Sequence, residues 1–462
     1  MTTTFLAFLA LALHVAGALA ALHALMRTRT APGAVAWVIG LLLLPYVTLV
    51  PYLFLGRSRF RGYVDMHRRR GGERRAKAIG ADRVVDDARY AGIAAMLGVN
   101  LRGGHRLRLL VDGAATFDAI FAAIGEAEHC VLVQFFIFHD DSLGRRLREA
   151  LLERAAAGVE VCVIHDAVGS HDLPRDYVEA LRAGGVRVQA FAARGWVNRL
   201  QVNFRNHRKI VVVDGWRGFV GGLNVGDEYL GLKPPLAPWR DTHMELQGPA
   251  VADLQRAFAE DWLWLTGAEP PLRMPREVDG NAATLVAATG PADWQESGSL
   301  FVAEAIHAAR ERVWLATPYF VPDAAVGAAL RMAVFRGVEV RLLLPARPDH
   351  FMVFQSSTLH AYEALRAGVR VFRYRPGFMH QKVALVDDDT AIVGSMNLDS
   401  RSFRLNFEVS ALNVDRAFAA EVETMLRNDF ANAVEIDESE YRDAPYRRRV
   451  VMHVARLFDP VL

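Results

Sequence analysis

The sequence predicts an α/β protein: two duplicated α/β lobes in a pseudo-twofold arrangement, preceded by an amino-terminal hairpin of two transmembrane helices. Three observations predict it. Two long apolar runs open the chain. From about Leu107 buried-strand patterns alternate with helical ones, and that alternation then occurs a second time with the same key side chains.

The first apolar run, about residues 5–26, is broken only by His14 and His23 and is long enough to cross a bilayer core. A cleaved signal peptide is the rival reading, but a basic leading region is lacking and a second run, about 33–55, follows at once. Residues 1–60 are therefore read as two membrane helices turning at Pro32, with Pro45 and Pro51 tolerable where neighbours satisfy the freed carbonyls. Next comes a basic membrane-proximal linker, 61–105. Arg57, Arg59, Arg61, Arg68, Arg69, Arg70, Arg74, Arg75 and Lys77 far outweigh Arg27 and Arg29 between the runs. The positive-inside bias puts both termini in the cytoplasm, and the same cluster suits anionic lipid head groups.

Residues 106–270 form the first predicted lobe. Cys130–Phe138 reads as a buried strand, 144–157 as a helix, 159–165 as the next strand, and Leu181 to Val188 as a helix end followed by a strand. Residues 280–435 repeat the pattern through Val313–Val321, Gly337–Arg341 and Leu365–Val371. The join falls near Thr266 to Asn281, rich in proline and charge. The last segment, 436–462, sets Arg447, Arg448, Arg449 and Arg456 among apolar residues, and reads either as a basic amphipathic segment on the membrane or as a docked terminal helix.

Composition narrows the function. A chain of 462 residues that is 52% hydrophobic holds two substantial cores, and a formal charge of +2 gives no reason to expect nucleic acid as a partner. Cys130 and Cys162 both sit in apolar runs, which indicates core residues and no disulfide framework.

The chemistry is carried by His207, Lys209 and Asp214, trailed by Gly221, Gly222 and Asn224, and by their copy His380, Lys382 and Asp387, trailed by Gly394, Ser395 and Asn397. These six motif residues are the candidate catalytic set. Read as strands, each copy points histidine and lysine one way and aspartate the other, so the aspartate ties the strand end to neighbouring backbone. Cleaving a phosphodiester needs a nucleophile, positive charge around the phosphoryl oxygens and an acid for the leaving alkoxide. Two His/Lys sets supply all three: one imidazole attacks, the other moves the proton, and the lysines, with amides from Asn224 and Asn397, neutralise the phosphate. No cofactor is required, and no compact metal-ligand cluster of recognised spacing is present. Each histidine needs a partner on its other nitrogen; Asp241 and Glu408, one following each motif, are the candidates, with a structural carboxylate as the plainer alternative.

The paired motifs resemble those of the phospholipase D superfamily, and the whole chain resembles its bacterial cardiolipin synthase branch. The resemblance covers both amino-terminal runs, Asp166–Ser170, Gly221–Tyr229, Thr317–Asp323, Gly394–Phe403 and Ala455–Leu462. It implies two phospholipase D-like lobes, a phosphohistidine intermediate and transfer of a phosphatidyl group between two phosphatidylglycerol molecules, releasing glycerol at the bacterial inner membrane. His207 would be the nucleophile, His380 the acid and base, and Asp241 and Glu408 the orienting carboxylates. His139 departs from the pattern and is read as a surface position. The rival functions are a phospholipase D that passes the group to water, a synthase using phosphatidylethanolamine as co-substrate, and a non-catalytic lipid-binding scaffold.

Overall fold

The computed structural model describes residues 2–28, 31–56, 63, 83–192 and 203–460; the basic cluster from Arg57 to Lys77 lies outside them. The first apolar run is one helix, Thr2–Arg27, long and apolar enough to cross a membrane. The second differs from the expected single span. It forms two shorter helices, Ala31–Leu43 and Pro45–Leu55, because Pro45 has no amide hydrogen and Leu44 leaves the helical region (φ −135°, ψ 56°). The Thr48 hydroxyl donates to the carbonyls of Gly40 and Leu44, at 2.9 and 2.8 Å, and so satisfies backbone at the break. Gly17 allows the first helix to approach this pair: a Cβ there would stand 2.4 Å from Leu41 O. Ala21, Ala24, Leu41 and Tyr52 are buried between the helices, whereas Phe5, Phe8, Leu11 and Val15 face outward.

The α/β body is built on a 16-stranded sheet among the described residues. From the centre outward, one half runs Arg102–Val111, Thr242–Gln247, Arg217–Gly221, Ile210–Val213, Cys130–Phe135, Glu160–Asp166, Arg187–Phe191. The other half runs Ala282–Thr289, Asn406–Val414, Thr390–Gly394, Val383–Val386, Arg312–Ala316, Glu339–Pro345, Arg370–Tyr374, with Ala433–Ile436 added at the edge. The two orders match strand for strand. They join through antiparallel pairing of Arg102 with Thr284 and His105 with Ala282, which makes the duplication a pseudo-twofold.

Alternation along the central strands divides the core between two faces. Leu132, Ile210, Val212, Val383 and Leu385 point to a layer shared by both lobes under the helices Val251–Thr266 and Arg416–Ala431. Val131, Val133, Val211 and Val213 point to the opposite face, covered by Asp112–Gly125 and Ser142–Ala156. Cys130 and Cys162 are free and buried, and burial pushes their thiols up to about 11 and about 12. The terminal helix Tyr446–Arg456 is docked. Met452 and Ala455 are its buried face, Asp459 accepts from Ser356 Oγ and His360 Nε2 at 2.5 and 2.7 Å, and Tyr446, Val450, Val454 and Leu457 stay exposed.

His207 and Lys209 do not lie in a strand as read from the pattern; the strand begins at Ile210. The chain is still crossing from a pairing at Arg205–Asn206 with the other lobe, and it joins its own sheet only after Lys209. Asp214 and Asp387 end the two motif strands in left-handed conformation (φ 49° and 52°). Their carboxylates are spent on backbone. Asp214 accepts from the amides of Glu128, His129 and Cys130 at 2.8–2.9 Å, and Asp387 from those of Arg310, Glu311 and Arg312 at 2.8–3.0 Å. Removing such an acceptor leaves several amides unpaired, a cost of roughly 2–4 kcal/mol. Asp387→Ala is expected to lower the melting temperature of the detergent-solubilised protein by about 5 °C or more; an unchanged melting curve would refute this role.

Candidate active site

Each histidine is placed by the lobe to which it does not belong. Asn206 pairs in parallel with Phe407, and Met379 with Arg240. The next backbone contacts follow that register: His207 N–H donates to Phe407 O at 2.9 Å, and His380 N–H to Arg240 O at 2.8 Å. One residue further along each partner strand stands a carboxylate. His207 Nδ1 is 2.9 Å from Glu408 Oε2, and His380 Nδ1 is 2.8 Å from Asp241 Oδ2. A carboxylate only accepts, so both imidazoles carry their proton on Nδ1 and leave Nε2 free for the site. The carboxylate following one motif thus serves the histidine of the other.

Both carboxylates have no exposure and are themselves held. Ser395 Oγ donates to Glu408 Oε2 at 2.5 Å and Asn406 Nδ2 to Oε1 at 3.2 Å. Thr242 N–H donates to Asp241 Oδ1 at 2.7 Å and Trp239 Nε1 to Oδ2 at 3.4 Å. Gly222 occupies the place of Ser395 in the first motif, where a Cβ would lie 2.1 Å from Asp241 Oδ1. The shorter glycine and the longer hydroxyl sit opposite different carboxylates. Burial works to raise the Glu408 carboxyl, but His207 and Lys209 outweigh it and hold it low; at Asp241 burial prevails over Lys382 and the shift is upward.

The two lysines are buried as well. Lys209 Nζ donates to His207 O at 2.7 Å, and Lys382 Nζ to His380 O. Burial pulls Lys209 down to about 7 and Lys382 to about 8, against the attraction of Glu408 and Asp241. It also pulls His207 down to about 4, despite Glu408, and His380 well below the usual imidazole range. The charges of Lys209 and Lys382 act on each other and on both histidines, so the two motifs meet in one site. That site holds neutral imidazoles and lysines starved of counter-charge, and a bound phosphodiester anion would supply it. The residues between histidine and lysine point away: Arg208 Nη1 donates to Asp261 at 2.9 Å and Gln381 Nε2 to Asp429 at 2.9 Å, both on the helices beneath.

The Asn224 amide has partners within its own lobe. Asn224 Oδ1 accepts from Ile137 N–H at 3.2 Å and its Nδ2 donates to the Tyr229 hydroxyl at 3.0 Å, while Asn397 Oδ1 is buried with no partner among the described residues. His139 is not a surface position: it is half-buried, with Nε2 3.0 Å from Glu228, which raises its pKa. Among the described residues no group of three or more His, Cys, Asp or Glu side chains is arranged to hold a metal ion.

The family model "Cardiolipin synthase, PLD-like domain" matches residues 120–262 and again 302–430, and a phospholipase D-nuclease N-terminal model matches 15–57. Cardiolipin synthase A of Pseudomonas aeruginosa is 55% identical over all of this chain and 97% of its own length. The chain belongs to the cardiolipin synthase family of phospholipase D-like proteins. Another relative, cardiolipin synthase A of Pseudomonas fluorescens, is 56% identical over 97% of both chains. Among solved structures, the phosphatidylserine synthase of Haemophilus influenzae shares the fold with a TM-score of 0.61 at 14% identity, over 80% of this chain and 99% of that one.

In this family member, sequence reasoning missed Ser395 as the support of Glu408, although its place opposite Gly222 in the repeat was visible. It also missed the rings around the histidines: Phe136 lies 5.1 Å from His207, and Trp239 5.1 Å and Tyr319 6.5 Å from His380 between centroids. Two outcomes follow from the site. Glu408→Gln no longer demands the Nδ1–H tautomer, and its turnover is expected to fall roughly 10²–10⁴-fold with the far-ultraviolet dichroism intact; near-normal turnover would remove Glu408 from the site. His207 has a folded pKa near 4, below its unfolded value, so as pH falls the unfolded chain takes up the proton first. Stability is therefore lost between about pH 6.5 and 4, and His207→Gln is expected to flatten that part of the melting-temperature profile.

Proposed function

We propose that the protein is a membrane-bound phosphatidyltransferase that makes cardiolipin and glycerol from two phosphatidylglycerol molecules. The observation that carries this reading is the pair of cross-lobe histidine–carboxylate contacts set between two buried lysines. His207 Nε2 attacks phosphorus, a P–N bond forms and the P–O bond to the head-group glycerol breaks. His380, protonated once the anion is bound, gives its proton to the departing oxygen. The terminal hydroxyl of a second phosphatidylglycerol then gives that proton back to His380 and attacks the phosphohistidine, restoring His207. Glu408 and Asp241 hold the two imidazoles and stabilise whichever is charged, and Lys209 and Lys382 neutralise the equatorial oxygens.

The membrane setting agrees with this chemistry. Both substrates are lipids, and holding the enzyme in their plane raises their effective concentration. The helix Thr2–Arg27 provides the anchor. The two shorter helices that follow would complete a hairpin, and the excess of arginine after them supports a body on the cytoplasmic side.

The test uses the full chain in vesicles of phosphatidylglycerol labelled in its head-group glycerol, with chelator present. Cardiolipin and free glycerol are expected in equal amounts, and an acid-labile phosphatidyl adduct is expected on His207. Phosphatidic acid in place of cardiolipin would make the protein a hydrolase; turnover only after adding phosphatidylethanolamine would change the co-substrate.

A further inference from the structure

The two histidines have unlike surroundings. On the His207 side the neighbour is apolar: Phe136 meets the imidazole edge-on, and the Lys209 ammonium lies 5.5 Å from the same ring. On the His380 side Tyr319 stands edge-on to the imidazole and its hydroxyl donates to Asp349, whose other oxygen accepts from His350 N–H at 2.7 Å. The Asp349 side chain is 17% exposed. Its negative charge acts on both His380 and Lys382.

Among the described residues these groups have no counterpart in the first lobe. Phe138 bridges to Val225 and Phe320 pairs with Leu398, each the residue after a motif asparagine, so Tyr319 corresponds to Ile137. Ser170 Oγ accepts from Phe138 N–H as Ser357 Oγ accepts from Phe320 N–H. Ser170 follows its strand end, Asp166, closely; Ser357 follows Pro345 after a longer segment, and Asp349 lies on that extra segment. A carboxylate beside a site that takes an anion opposes binding unless it makes contacts of its own. An ionised carboxylate retains free acceptor lone pairs, and a phenol adds a further acceptor, which together suit hydroxyl donors.

We propose that Asp349 and Tyr319 form a diol-binding subsite beside His380, which takes the free hydroxyls of a glycerol head group. It would hold first the departing glycerol and then the head group of the acceptor. The inference rests on the phosphatidyl-transfer reading above, and it makes the subsite the source of preference for glycerol over other alcohols.

The experiment supplies the full chain in phosphatidylglycerol vesicles with equal concentrations of labelled glycerol and 1-propanol, and measures labelled phosphatidylglycerol against phosphatidylpropanol. The wild type is expected to favour glycerol. Asp349→Asn is expected to lower the glycerol-to-propanol ratio on the order of tenfold, as loss of a hydrogen bond to a charged acceptor implies. Tyr319→Phe is expected to shift the ratio in the same direction by less, and it carries the test if the first variant does not fold. A ratio unchanged in both variants, whatever happens to total turnover, would overturn the subsite. A wild type that transfers to neither alcohol and makes no cardiolipin would instead overturn the transfer reading beneath it.

Discussion

The crossed histidine–carboxylate contacts are what the rest of the structure depends on. His207 and Glu408 are 201 positions apart and His380 and Asp241 are 139 apart, yet each pair is adjacent because a two-residue parallel pairing precedes it. Neither lobe by itself contains an oriented histidine. The antiparallel seam between Arg102–Val111 and Ala282–Thr289 fixes the two half-sheets in register, and that register brings each carboxylate beside the opposite imidazole. A site assembled this way requires both lobes to be folded and docked before it exists, which ties its geometry to the stability of the whole body.

Electrostatics runs against stability at the same place. Lys209 is fully buried, and its ammonium donates to the His207 carbonyl. Buried histidines and lysines held below their ordinary pKa values cost folding free energy, because the unfolded chain binds protons that the folded one refuses. Two buried carboxylates offset part of that cost. The remainder is available to an anionic ligand, which would restore the missing counter-charge. Strain of this kind concentrates where a ligand supplies the compensation.

Much of the fold was legible in the sequence. The repeat was visible because both lobes use the same strand patterns and glycine turns, and the aspartates do bind backbone as expected, although the histidines and lysines precede the strands on which that parity was read. What the sequence hid was long-range register. Nothing local in Trp239-Arg240-Asp241 says that it pairs with Phe378–Met379, and a two-residue pairing leaves no periodic signal. The break at Leu44 was foreshadowed by Pro45, but an apolar run reads the same whether or not it is interrupted. His139 looked superficial because the Glu228 that holds it is remote in the chain.

A duplicated scaffold tends to present two equivalent imidazoles, whereas two-step transfer asks them to differ: one must be a nucleophile and the other a proton carrier. The difference has to come from positions where the copies depart from each other. Gly222 faces the short Asp241, and Ser395 donates to the longer Glu408, so the two carboxylates hold their histidines with different reach and different support. Phe136 borders one imidazole, whereas Trp239, Tyr319 and, through Tyr319, Asp349 border the other. On the transfer reading proposed above, the apolar wall beside His207 suits the nucleophile. The acidic, hydroxyl-bearing wall opposes part of the burial that keeps the His380 imidazole neutral, and on the same reading it suits the alcohol whose proton His380 would carry. Repetition supplies the paired histidines and lysines, and on that reading the departures from repetition would give each half its separate task.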